Sequence, residues 1–168
     1  MSKKFLAIIC ISLLAVFLLL YSCTDYEQYP LEPVIEYQGY KVIYSNDTLV
    51  TPIKGVLQIG FTDGDGNIGL SDNEVDPPYD YNLFIDYFEL QNGVWSSVVV
   101  DGDTVNFNAR IPIITPSGTN KNIKGTIYDT VLLNTFSSYD TIKYVIYLKD
   151  RDLNKSNIIE TPEIVISE

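Results

Sequence analysis

Period-two alternation recurs along this chain and leaves it little choice of fold. Leu57, Ile59 and Phe61 alternate with Gln58, Gly60 and Thr62. Val105, Phe107, Ala109, Ile111 and Ile113 alternate with Thr104, Asn106, Asn108, Arg110 and Pro112, and Ile142, Tyr144, Ile146 and Leu148 repeat the pattern. Successive side chains of a strand point to opposite faces, so each run predicts a strand with one buried face. Less regular runs rich in β-branched and aromatic residues at 34–44, 81–90, 94–100, 123–133 and 158–167 bring the expected total to about seven or eight. With no convincing amphipathic helix beside them, the expected fold is all-β, an antiparallel β-sandwich.

The N-terminus carries a different message. Lys3 and Lys4 precede the apolar run Phe5 to Leu20, and Leu20-Tyr21-Ser22-Cys23 follows. That pattern reads as a secretory signal peptide ending in a lipobox, with compact Ser22 at the cut and the Cys23 thiol as the site of lipidation. Phe5 to Tyr21 is 17 residues, short of the roughly 20 that a spanning helix requires. The residue after Cys23 is Thr24 rather than Asp, so an inner-membrane retention signal is missing and an outer-membrane lipoprotein of the cell envelope is expected. Three parts follow: a signal peptide over 1–22, a lipidated Cys with a flexible tether over 23–33, and a β-sandwich domain over 34–168. Pro30 and Pro33 mark the tether.

Charge and composition exclude several chemistries. Two of the 11 basic residues and none of the 22 acidic ones lie in 1–22, so the mature chain has a net charge of −13. Nucleic acid is a poor partner for such a surface, and attachment to an anionic membrane falls to the N-terminal lipid. Cys10 departs with the signal and Cys23 takes the lipid, leaving no thiol for a disulfide. There is no histidine, which excludes Ser-His-Asp and Cys-His catalysis and the usual zinc sites.

Asn92-Gly93 predicts a two-residue type I′ hairpin, because both central positions of that turn take positive φ. The register follows: Gln91 pairs with Val94, Leu90 with Trp95, Phe88 with Ser97 and Tyr87 with Val98. One face then holds Leu83, Ile85, Tyr87, Val98 and Val100, and the other holds Phe84, Phe88, Leu90, Trp95 and Val99. A sandwich strand needs only one buried face, so Phe84, Phe88, Leu90 and Trp95 form a candidate partner face, with the 71–80 loop as the expected cover.

The segment from Phe61 to Asp76 is dense in oxygen ligands. Asp63, Asp65 and Asn67 alternate, with Asp72 and Glu74 further on and glycines that permit a tight wrap, as a hard cation such as calcium requires. Counted from Asp63, position six is Ile68 where an EF-hand needs Gly, so the segment is not an EF-hand; Asp, Asn and Gly are equally the residues of plain turns. In an up-and-down order the loops after the second, fourth and sixth strands share a pole. On that count Asp101 and Asp103 would complete a metal site, and Asp150-Arg151-Asp152 would lie at the opposite pole.

Asp150 to Asn157 follows a clean strand and resembles the final-hairpin loop of bacterial Ig-like domains, in which an Asp ends one strand and an Asn-x-Ser turn leads into the last. With the lipobox, the Phe61-Thr-Asp-Gly-Asp-Gly segment and Asn108-Ala-Arg-Ile-Pro112, the chain is similar to small Bacteroidota-type lipoproteins of unknown function. The resemblance implies an Ig-like sandwich anchored by lipid outside the cytoplasm, and no activity. The expected function is a non-enzymatic binding or scaffolding module with an envelope protein or glycan as partner. The alternatives are a carbohydrate-binding accessory protein, with Tyr79, Tyr81, Tyr87 and Trp95 as stacking platforms, and a glycoside hydrolase using paired carboxylates.

Overall fold

In a computed structural model that describes residues 27–43, 54–132 and 137–166, the chain is all-β, and two antiparallel sheets face each other. The signal peptide and Cys23 lie outside the described residues. Sheet A has the order β1 (Val34–Ile43), β2 (Lys54–Asp63), β7 (Ile123–Leu132). Sheet B has the order β10 (Ile164–Val165), β8 (Thr141–Leu148), β3 (Leu83–Gln91), β4 (Val94–Ser97), and β9 (Ile159–Glu160) also pairs with β8. The two-residue strands β5 (Val99–Val100) and β6 (Asp103–Thr104) form a small hairpin of their own.

The alternating residues form the core. Leu57, Ile59 and Phe61 of β2 meet Leu83, Ile85 and Tyr87 of β3 and Ile142, Tyr144, Ile146 and Leu148 of β8, all buried. The Asn92-Gly93 turn has φ of 54° and 82°, and the observed pairs include Phe88 with Ser97, Leu90 with Trp95 and Gln91 with Val94. Beyond Val98 the expected strand stops. Val99 and Val100 are 58 % and 53 % exposed in the β5–β6 hairpin, so Val100 does not join the inner face.

Residues 105–113 do not form a continuous strand. They run beside β3 through isolated antiparallel bridges, Leu83 with Ala109 and Asp86 with Asn106. The ladder is broken because side chains take backbone places in it. The Asn108 Oδ1 accepts from the Ile85 amide at 3.1 Å. The Asn82 amide group spans Ile111, accepting from its N–H at 2.7 Å and donating to its carbonyl at 3.2 Å. Val105, Phe107 and Ala109 still pack on the core and Ile111 is buried, whereas Ile113 is 49 % exposed. The expected last strand is likewise split into β9 and β10 around Pro162, which has no amide proton to continue a ladder.

β4 and residues 105–111 both run antiparallel to β3 on the same edge, so they act as one strand interrupted by the β5–β6 hairpin. The chain reverses once where two reversals are expected. This corrects the assignment of loops to poles.

Candidate functional site

Asp63 ends β2 at one pole of the sandwich, and the chain then wraps tightly. The Asn67 amide donates to the Asp63 Oδ2 at 2.9 Å, closing a five-residue loop. Gly66 makes the wrap possible: its φ is 64°, and a Cβ there would lie 2.3 Å from the Lys121 carbonyl oxygen. Because of the single reversal on the β3 edge, β8 also ends at this pole. Its exit loop, 150–154, meets the 63–67 loop through the Arg151 amide, which donates to the Asn67 carbonyl at 3.3 Å. The Asn67 Nδ2 donates to the Asp65 Oδ2 at 3.2 Å and to the Asp152 Oδ2 at 3.0 Å. Asp150 is buried, with one oxygen accepting from the Asn154 amide and the other from the Asn154 Nδ2, both at 2.8 Å.

The structure thus brings Asp150 and Asp152 to the acidic loop, where the strand count places Asp101 and Asp103. Those two are exposed in the β5–β6 hairpin, which branches from the sheet edge next to Val98. Asp72 is exposed. Glu74 is bound elsewhere, with its two oxygens accepting from the Arg151 guanidinium at 2.7 Å each and one of them also accepting from the Ser71 amide and hydroxyl. These contacts, with the Arg151 guanidinium first, hold the Glu74 carboxyl at about 2, well below its ordinary value.

Three oxygens in the loop stand out. Asp63 Oδ1, Asp65 Oδ1 and Asn67 Oδ1 are buried and accept no hydrogen bond. Asp63 as a whole is 0 % exposed. Burial first, and then the neighbouring Asp65 charge, push its carboxyl up to about 6 despite the bond from the Asn67 amide, and the Asp150 charge adds to the rise. Among the described residues no three His, Cys, Asp or Glu side chains form a ligand group by themselves.

The aromatic outer face of sheet B is overlaid by side chains of β8 and of the loop after it. Lysine side chains lie across it: the Lys143 Nζ is 4.7 Å from the Trp95 ring centre and 5.9 Å from that of Phe88. Lys149 sits 5.0 Å from Phe84 and Lys155 3.8 Å from Tyr147, while Phe84 and Tyr147 stack on each other at 4.6 Å. Leu90, Phe84, Phe88 and Trp95 are all half-buried under this cover. The four aromatics expected as a sugar platform do not share a surface: Tyr87 is in the core, Trp95 is on the outer face, and Tyr79 and Tyr81 precede β3.

Compared with known proteins, the chain matches no family model, no curated protein and no solved structure.

Two further features escape a reading of the residues alone. Glu89 is 2 % exposed on the inner face of β3, where its carboxylate accepts from the Tyr87 hydroxyl at 2.9 Å and the Gln91 Nε2 at 3.1 Å. Its position, two past Tyr87 on the inward parity, was the available signal. On the open side of the sandwich, a cavity of about 490 Å³ lies between β7 and residues 109–114, lined mainly by Phe61, Leu83, Ile111, Ile123 and Ile127 and with Asp129 as its single carboxylate.

Residues 27–33 are docked rather than free. The Gly64 amide donates to the Pro30 carbonyl at 2.7 Å, the Asn122 Nδ2 donates to the Glu27 carbonyl at 3.1 Å, and the Tyr29 amide donates to the Asn122 Oδ1 at 3.4 Å. The described part of the expected tether is therefore held against the acidic pole at Glu27, Tyr29 and Pro30.

Proposed function

We propose that this chain is a lipid-anchored extracytoplasmic binding or scaffolding module, attached through Cys23 to the outer membrane and turned with its acidic pole toward the bilayer. The observation that carries the reading is the docking of residues 27–33 beside Gly64 and Asn122. Glu27 is four residues beyond Cys23, a distance of at most about 14 Å along an extended chain. A leash this short keeps the sandwich at the membrane surface and fixes which end faces it. The lipobox supplies the anchor, and the net charge of the mature chain is consistent with attachment by lipid rather than by basic side chains.

The test has two parts. Incorporation of radiolabelled palmitate into the full chain, lost in Cys23→Ser together with membrane fractionation, is the expected result; an unlabelled wild-type chain in the soluble fraction overturns the anchor. The mature chain has no other cysteine, so Gly118→Cys at the acidic pole and Asn92→Cys at the far turn each accept one fluorophore. Quenching by headgroup-labelled lipid is expected to be stronger at position 118, and stronger quenching at position 92 reverses the orientation.

A further inference from the structure

The geometry points to a hard divalent cation site of the calcium class, in which Asp63, Asp65 and Asn67 supply ligands from one loop and Asp150, whose two oxygens accept from Asn154, adds negative charge from the other. A buried acceptor without a donor costs about 1–3 kcal/mol, and native structures hold few such atoms. Here three fall in five residues, at positions i, i+2 and i+4, one on each of the three side chains. Loop turns alone do not account for them. In each of these side chains the other polar atom is engaged in the loop's own hydrogen bonding: Asp63 Oδ2 takes the Asn67 amide, Asp65 Oδ2 takes the Asn67 Nδ2, and that same Nδ2 fixes the amide so that its Oδ1 is left without a donor.

Charge points the same way. Asp63 and Asp150 are 0 % and 2 % exposed, and the neighbouring cation, Arg151, is committed to Glu74. Asp63, taken out of water beside Asp65 and Asp150, is stabilised in its charged form by a neighbouring positive charge. No donor that the loop already holds supplies one. A divalent ion satisfies the charge and the unpaired oxygens together. Calcium takes six to eight oxygens in flexible geometry, so the three side chains leave room for water to complete the shell. The chemistry also selects against softer metals, because the set contains neither nitrogen nor sulfur.

Such a site does mechanical work. Asp63 ends β2 of sheet A and Asp150 lies in the loop that follows β8 of sheet B, so a cation held by Asp63 beside the Asp150 charge draws the two sheets together at one pole. It does not depend on the anchor, and it is tested without reference to it.

The experiment uses the purified full chain in detergent, stripped with chelator and titrated with calcium or with terbium, whose luminescence nearby tyrosines sensitise. Saturable terbium emission displaced by calcium, with a calcium-dependent rise in Tm of several degrees, is expected. Asp150→Asn is expected to weaken calcium binding at least tenfold, and Asp72→Asn to leave it unchanged. Asn67→Asp keeps the oxygen and adds charge, so it is expected to lower Tm in chelator and to tighten calcium binding. That variant keeps the inference falsifiable where Asp63→Asn or Asp65→Asn fails to fold. Wild-type protein that shows neither terbium emission nor a Tm shift at millimolar calcium overturns the site. So does an Asp63→Asn variant that is more stable than wild type with calcium and chelator alike, since the pair would then be a carboxyl sharing a proton. Equal loss in Asp72→Asn and Asp150→Asn reduces the effect to general charge screening and also overturns it.

Discussion

Glu74 and Arg151 meet in a two-pronged ion pair across 77 residues of chain, with both N–O distances at 2.7 Å. The pair joins the loop after β2 to the loop after β8, and it has a signature in acid. The Glu74 carboxyl titrates near 2 in the folded protein against 4.5 ordinarily, so the folded state favours the charged form. Its contribution is present above 4.5 and is lost as pH falls toward 2. Urea midpoints measured from pH 5 to pH 2.5 are expected to fall more steeply for wild type than for Glu74→Gln, the two curves converging at the acid end.

Asn82 is 1 % exposed and serves as the missing strand partner of Ile111. Asn82→Ala leaves the Ile111 N–H without a partner, while its carbonyl keeps the Leu70 amide at 2.9 Å, and is expected to destabilise by about 1–3 kcal/mol in urea denaturation. A loss no larger than that of an exposed substitution such as Asn120→Ala would mean that water replaces both bonds.

Tyr87→Phe removes the hydroxyl that donates to the buried Glu89 carboxylate. The expected cost is about 1–3 kcal/mol. If the cost arises from the stranded carboxylate, Tyr87→Phe/Glu89→Gln is expected to recover part of it, and a double-mutant cycle on thermal melts measures the recovery.

Two glycines separate backbone strain from collision. Gly93 has φ of 82°, and a Cβ added there would meet nothing within 4 Å, whereas Gly69 has φ of 117° and its Cβ would lie 2.3 Å from the Pro112 carbonyl oxygen. Gly93→Ala is expected to cost about 1–2 kcal/mol, and Gly69→Ala clearly more, by differential scanning calorimetry.

The strands that alternate without interruption were legible, as was the Asn92-Gly93 hairpin with its register. Leu57, Ile59 and Phe61, and Ile142 to Leu148, carry their burial in the order of residues. The partner of the acidic loop was not legible, because Asp101-Gly102 looks like any hairpin turn and nothing local says that the chain continues past it in its former direction. Asp150 and Asp152 were therefore assigned to the wrong end. The lysine cover on Phe84, Phe88 and Trp95 comes from β8 and the loop after it, across strand pairings that periodicity does not supply. Asn82 and Asn108 read as polar residues of loops and strands, and their service as backbone substitutes depends on neighbours brought near only by folding. The spacing of Asp63, Asp65 and Asn67 offers them as candidate oxygen ligands; that each holds one buried oxygen without a donor is visible only in three dimensions.

One more side chain acts in this way. The Asn157 amide group accepts from the Ile35 N–H and donates to the Ile35 carbonyl, both at 2.8 Å, on the side of β1 that faces away from β2. An outer strand with free backbone groups is a template onto which another chain can add. By occupying this pair, Asn157 makes this part of the rim of sheet A a poor seed for stacking one copy on the next.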